Sequence, residues 1–115
     1  MRNISLAGLA LVVAACGGAG VPQEQLTAAK AAVSGAEVGG AGDEPKAALH
    51  LKLAKEQITK AEALIADGED EEAARVVERA QVDAELALAL SRENKARGEA
   101  VETKEQLERL KKNAQ

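Results

Sequence analysis

Apolar side chains recur along most of this chain at alternating spacings of three and four residues, the period of an amphipathic helix. Three such stretches follow one another, and each has its own apolar face. The first face consists of Leu26, Ala29, Val33 and Ala36; the second of Ala47, Leu51, Ala54, Ile58, Ala61 and Ile65; the third of Ala73, Val77, Ala80, Ala84 and Ala87, with Leu88 beside it. The pattern predicts an all-α fold in which the helices meet along heptad seams.

Glycine and capping residues separate the three stretches. Residues 39–42 include three glycines and end the first helix. Asp43 is the expected N-cap of the second helix, with Pro45 in its first turn, where a missing N–H costs nothing. Gly68 ends the second helix, and the acidic residues 69–72 suit the positive end of the third. Because this connection is short, we expect the second and third helices to form an antiparallel hairpin.

A second apolar stripe lies away from the seam of the hairpin. It consists of Leu49 and Leu53 on the second helix and of Val82, Leu86 and Ala89 on the third. We expect the apolar face of the first helix to cover this stripe, which gives a small three-helix bundle over residues 23–92. The alternative is that the stripe is a surface for self-association.

Residues 93–115 are predicted to form a charged helical extension. From residue 92 to residue 112, 12 of 21 residues are charged. Three pairs place an acid four residues before a base, which favours a helix: Glu93 with Arg97, Glu105 with Arg109 and Glu108 with Lys112. An unbroken helix over residues 70–113 would be about 66 Å long.

Only a thin apolar stripe accompanies these charges. Leu107 and Leu110 form it, and its phase is displaced from the seam that ends at Ala87, with Asn94 and Gly98 at the discontinuity. We favour a solvated, partly frayed helix held by its charge pairs, and the alternative is an arm that binds a partner.

The first residues have the features of a secretory signal peptide, which we assign to residues 1–15. Arg2 precedes an apolar run over residues 4–13, which is too short to span a bilayer. The following Val13-Ala14-Ala15-Cys16-Gly17 resembles the bacterial lipobox, in which cleavage occurs before a cysteine that receives lipid. The resemblance implies that Cys16, the single cysteine, becomes a lipidated N-terminus on a glycine-rich tether over residues 16–22. The alternatives are an ordinary signal peptide or a buried N-terminal helix.

The residue after the lipidated cysteine bears on the choice of membrane. Gly17 stands where inner-membrane lipoproteins of enteric bacteria have aspartate. By resemblance to that rule we expect anchoring in the outer membrane, facing the periplasm, with the inner membrane as the alternative.

Composition limits the chemistry that the chain can perform. It has no Phe, Trp or Tyr, one His, one Cys and a net charge of −4. Aromatic side chains for base stacking are missing and the charge is acidic, so nucleic acid is not an expected partner. His50 is expected to be a partly exposed histidine rather than a metal ligand, and residues 69–72 lack the spacing of a calcium loop. We therefore expect no metal, no cofactor and no enzyme.

Several segments resemble one bacterial envelope family. They are Gly42-Asp43-Glu44-Pro45, Leu53-Ala54, Ala61-Glu62-Ala63-Leu64, the turn at Gly68, and Ala80-Gln81-Val82-Asp83-Ala84-Glu85-Leu86-Ala87. These segments are similar to the domain of unknown function 4398, which occurs on lipoproteins and is sometimes fused to a peptidoglycan-binding domain. The resemblance covers about residues 22–92 and implies no catalytic residues. Peptidoglycan binding is not carried over to this chain.

Together these features predict a membrane-anchored periplasmic lipoprotein that acts as a non-enzymatic interaction or structural module. A partner face is expected at Val82, Leu86, Leu107 and Leu110, for another envelope protein or for self-association. Two alternatives are a homo-oligomeric coiled-coil scaffold and a spacer linked to the cell wall. The chain has Lys111 and Lys112 near its end but no terminal lysine of the kind used for such a link.

Overall fold

The computed structural model describes residues 22–115, and this part of the chain is almost entirely helical. Helix α1 spans Pro22–Val38, α2 spans Pro45–Ala66 and α3 spans Asp70–Asn113, with a short 3-10 turn at Ala41–Asp43 between the first two. The predicted all-α hairpin and three-helix bundle with a long C-terminal helix are thereby confirmed. Pro22, the predicted end of the tether, is the first residue of α1.

The three predicted apolar faces meet in one core. All their members are buried except Ile65 and Leu88, which are half-buried against the core. The structure adds Ala41, Val76 and Ser91 to the buried set. On α3 the buried residues Ala73, Val77, Ala80, Ala84, Ala87 and Ser91 form a row with heptad spacing, here called the inner seam.

Helix α1 lies parallel to α3 and antiparallel to α2. Its first turn borders the first turns of α3, where Pro22 and Gln25 share a groove with Ala74 and Val77. Its other end reaches Leu88 and Ser91, near the middle of α3. Two ion pairs join α1 to α2 in antiparallel register: Lys30 with Glu62, and Glu37 with Lys55.

The prediction that α1 covers the second apolar stripe is wrong. Leu49, Val82 and Leu86 are 55%, 59% and 39% exposed, Ala89 is exposed and Leu53 is half-buried. One helix can fill only one of the two grooves of a hairpin, and α1 fills the groove on the other side. In that groove, Lys30 and Glu37 of α1 reach their ion-pair partners on α2. The second apolar stripe remains exposed to solvent.

Left-handed glycines end the first two helices. Gly40 has φ 85° and Gly68 has φ 78°. After α2 the N–H of Gly68 donates to the carbonyl of Ile65 and the N–H of Glu69 to that of Leu64, which is the bond pattern of a Schellman turn. The predicted glycine turn at Gly68 is confirmed.

Glu44, rather than Asp43, caps α2. The Glu44 carboxylate accepts a hydrogen bond from the N–H of Ala47, and Pro45 follows at the start of the helix. Asp43 is drawn into the preceding 3-10 turn, where its own N–H donates to the carbonyl of Gly40. The capping position therefore moves one residue along the chain.

Helix α3 continues without a break through Asn94 and Gly98. Because α1 ends and α2 begins beside the middle of α3, neither helix covers the second half of α3, and every residue from 92 to 115 is exposed. This second half of α3, residues 92–113, is called the arm. Two of the three predicted charge pairs form, Glu93 with Arg97 and Glu105 with Arg109, whereas Glu108 pairs with Lys111 and not with Lys112.

The close approach of α1 to α3 at Gly39 generates a prediction. A Cβ placed on Gly39 would overlap the end of the Leu88 side chain, so this leucine must leave its preferred rotamer, and Gly39→Ala is expected to lower the free energy of unfolding by about 1 kcal/mol. Around Gly42 nothing lies within 4 Å of such a Cβ, so Gly42→Ala is the matched control. It should leave the stability unchanged or raise it by up to about 1 kcal/mol. Urea unfolding followed by circular dichroism measures both, and equal stabilities would contradict the close packing.

Candidate interaction surface

The predicted lipid site lies outside the described residues. Cys16 and its flanking residues Val13, Ala14, Ala15 and Gly17 all precede residue 22, so no geometry bears on them. None of the described helices is both long enough and apolar enough to cross a membrane.

A carbonyl at the end of α1 fixes this helix on the middle of α3. The carbonyl oxygen of Gly39 accepts hydrogen bonds from Ser91 Oγ and Lys95 Nζ, both at 2.7 Å. Ser91 is buried, and its hydroxyl satisfies a carbonyl that the end of α1 leaves without a helical partner. Ser91 was missed among the apolar residues, although it follows Ala87 by four and so continues the heptad spacing.

A polar cluster lies where α2 and α3 meet on the open side of the hairpin. His50 Nδ1 is 2.8 Å from Asp83 Oδ1, and Gln57 Nε2 donates to Asp83 Oδ2 at 2.9 Å. Because a carboxylate only accepts, the hydrogen of His50 is placed on Nδ1. Both donors come from α2 and the acceptor from α3. The Asp83 cluster (His50, Gln57 and Asp83) therefore holds the two helices in register.

The sequence predicts the partial exposure of His50 but does not reveal which residues it contacts. His50 is partly exposed, as predicted, with 28% of its side chain accessible. Asp83 is 33 residues away, and only the antiparallel hairpin brings it to the same level. A turn centred between residues 68 and 69 places position 50 opposite position 87, one helical turn from Asp83. The contact between His50 and Asp83 could therefore have been inferred from the register of the hairpin.

The four residues of the predicted partner face are all exposed on α3. Val82 and Leu86 lie one turn apart on the part of α3 that belongs to the bundle, and they flank Asp83 and Glu85 in sequence. Leu107 and Leu110 lie on the arm. Leu107 follows Leu86 by 21 positions, which corresponds to about 32 Å of helix. The structure thus groups these residues in two pairs rather than in one patch.

The open grooves of the described residues are lined mainly by charged and polar side chains. One groove of about 710 Å³ lies between the first turns of α1 and α3 and is lined by both apolar and charged residues. The acidic residues Asp70, Glu71 and Glu72 occupy the first turn of α3, as predicted. Within residues 22–115, no three His, Cys, Asp or Glu side chains converge in a way that could hold a metal ion.

With this architecture in hand, comparison with known families is informative. A family model described as Domain of unknown function (DUF4398) matches residues 24–103, more than two thirds of the chain. The chain belongs to this family. The match includes nearly all of α1, the whole of α2 and the first part of the arm, so the DUF4398 region continues past residue 92. No curated protein and no solved structure matches the chain.

The Asp83 cluster makes a testable contribution to the hairpin. Asp83→Ala leaves His50 and Gln57 without their acceptor, so we expect the free energy of unfolding to fall by about 1–3 kcal/mol. Glu85→Ala is the matched control, because Glu85 is exposed on the same helix and bonds only within it, to Gln81. Its effect should stay within about 0.5 kcal/mol. If the two variants unfold at the same urea concentration, the cluster does not hold the helices in register.

Proposed function

We propose that this DUF4398 chain is a bacterial lipoprotein that is anchored through Cys16 and faces the periplasm. Its helical part is proposed to be a non-enzymatic module. The proposed membrane is the outer membrane. The proposed role is to bind another component of the cell envelope or to contribute to its structure.

One observation carries the anchoring part of this proposal. The single cysteine of the chain follows a basic residue, an apolar run and two alanines, at the one position where a lipobox requires it. Diacylglycerol on the thiol and a further acyl group such as palmitate on the new amine would supply more than one chain. Two or more acyl chains anchor a protein stably, whereas one gives only marginal binding.

The position of α1 supports an anchor at this end of the chain. Helix α1 begins at Pro22, six residues after Cys16. Six residues reach at most about 20 Å, so the first turn of α1 would stay near the lipid. That turn borders the first turns of α3, and the arm therefore begins at the end of the bundle that is remote from the anchor.

The arrangement of polar groups supports a module that binds rather than catalyses. The polar side chains at the helix interfaces make structural contacts: Asp83 accepts from both His50 and Gln57, and Ser91 donates to Gly39. Many of the exposed charges form pairs along or between helices, such as Glu93 with Arg97. Helix α3 also exposes the apolar side chains of Val82, Leu86, Leu107 and Leu110. A surface that contacts only water does not require such side chains, whereas a partner-binding surface does.

Metabolic labelling tests the anchor. Bacteria expressing the chain are grown with an alkyne-bearing fatty acid, and the purified chain is examined for the label. We expect the wild type to be labelled and Cys16→Ser to lose the label completely, because the thiol is the acceptor of the diacylglyceryl group. Ala19→Ser, a change of similar size three residues away, is the control and should keep it. Label that persists in Cys16→Ser would overturn the proposal.

Membrane fractionation tests the location. In an enteric host, the wild type is expected in the outer-membrane fraction of a sucrose gradient. Gly17→Asp should move it to the inner membrane, because aspartate after the lipidated cysteine retains lipoproteins there. Gly17→Ala is the control and should leave the distribution unchanged. A wild type found in the inner membrane would contradict the proposed location while leaving the anchor intact.

A further inference from the structure

The hairpin of α2 and α3 has contacts of its own that fix its register without α1. The Schellman turn at Gly68 and the Asp83 cluster involve only these two helices. Among the three described helices, the interface between α2 and α3 is the most extensive, and the one between α1 and α2 is the smallest. Removal of α1 would therefore leave the contacts that define the hairpin in place.

Helix α1 buries few large side chains. Its buried residues are Leu26, Ala29, Val33 and Ala36, of which only Leu26 and Val33 are larger than alanine. Hydrophobic stabilisation increases with the apolar area removed from water. Against it stands the conformational freedom that each of the 17 residues loses when α1 docks. The net free energy that holds α1 on the hairpin is therefore small.

The sequence of α1 makes it a weak helix when it is separated from the hairpin. Thr27, Ser34 and Gly35 lie within it, and all three have lower helix propensity than alanine. Packing does not require glycine at position 35, because a Cβ there would meet nothing within 4 Å. Helices of this length are marginal in water without tertiary contacts, so α1 would unwind on leaving the hairpin.

The two ends of α1 are held unequally. At the C-terminal end, the carbonyl of Gly39 accepts hydrogen bonds from Ser91 and Lys95 of α3. At the N-terminal end, the open groove of about 710 Å³ lies between α1 and α3, and Pro22 and Gln25 line it. Solvent therefore reaches between the two helices at the first turn of α1 but not at its last.

The ion pairs along α1 do little to close it. Lys30 pairs with Glu62 and Glu37 with Lys55, and all four side chains are about half exposed. Water screens such pairs, and ordering the two long side chains costs entropy. These pairs select the groove in which α1 lies, but they do not lock it there.

We propose that α1 is a strap that opens and closes on the hairpin as one cooperative unit, while α2 and α3 stay folded. Residues 39–42, which include three glycines, are the hinge. Opening begins at the first turn of α1, beside the groove, and ends at the Gly39 carbonyl. It uncovers Val77 and Leu88 of α3, which border α1 in the closed state.

The strap determines the direction of the arm. In the closed state α1 is parallel to α3, so the arm points away from the first turn of α1. In the lipoprotein proposed above, that turn follows the anchor, and closure would hold the arm away from the membrane. Opening would let the hairpin and the arm turn about the hinge. This consequence rests on the proposed function, whereas the opening itself does not.

Hydrogen exchange followed by mass spectrometry tests the strap on the purified full chain. After correction for intrinsic rates, amides within α1 are expected to exchange at least tenfold faster than those of α2 and of α3 up to Ser91. The reason is that α1 opens more often than the whole bundle unfolds. Equal corrected rates in α1 and in the hairpin would overturn the proposal, since the three helices would then unfold together.

Asp83→Ala separates the two events. The Asp83 cluster is intact whether α1 is closed or open, so its loss does not change the opening equilibrium of α1. We expect the variant to speed exchange in α2 and in α3 up to Ser91 at least fivefold and to leave exchange in α1 nearly unchanged. Glu85→Ala is the matched control and should change neither. An equal acceleration in α1 and in the hairpin would contradict the strap.

Gly35→Ala tests whether α1 unwinds when it opens. Alanine stabilises a helix where glycine has no packing role, so exchange within α1 should slow by about two- to fivefold. Gly98→Ala is the matched control, because Gly98 is also exposed with nothing within 4 Å of an added Cβ, but it lies on the arm. It should leave α1 unchanged. Unchanged or faster exchange of α1 in Gly35→Ala would overturn the proposal. None of these measurements involves residue 16, so a failed strap and a failed anchor give separate results.

Discussion

Alanine at the helix interfaces is the constraint on which the rest of this structure depends. Within residues 22–115, ten of the sixteen buried apolar residues are alanine, and the chain has no aromatic side chain to fill a wider gap. Helices that meet through methyl groups must approach closely, toward the short end of the usual 8–10 Å between axes. Alanine loses no side-chain entropy on burial, but each residue removes little area from water. Polar contacts with defined geometry therefore matter more here than in a bundle with large apolar residues.

The Asp83 cluster and the Gly39 carbonyl supply these contacts. A seam of methyl groups is uniform, and it resists sliding less than interlocking large side chains do. Asp83 binds two donors on α2, and the carbonyl of Gly39 binds two donors on α3. Both sites require one particular register. Close packing at Gly39, where a side chain would collide with Leu88, adds a steric requirement to the same end of the bundle.

Much of the fold could be predicted because it rests on local periodicity. The spacing of Ala47, Leu51 and Ala54 indicates a buried face whatever the partner is, and a left-handed glycine at Gly68 fixes the hairpin. The position of α1 could not be predicted in this way, since both grooves of the hairpin offered apolar residues. On the observed side, Ser91 and Lys95 donate to the carbonyl of Gly39, and Lys30 pairs with Glu62. A periodic pattern of apolar residues does not reveal such contacts. Val82 and Leu86 likewise fall into one periodic row with Leu107 and Leu110 only because α3 is continuous through Gly98.

The continuity of α3 also determines how costly pairing along the arm would be. Starting a helix is unfavourable, and extending an existing one is much easier. The bundle already orders α3 up to Ser91, so the arm extends a formed helix and needs no partner to begin it. Any partner that packs along the arm would then meet a helix that is already formed, and only side chains such as Leu107 and Arg97 would lose conformational freedom. Pre-organisation of this kind lowers the entropic cost of association.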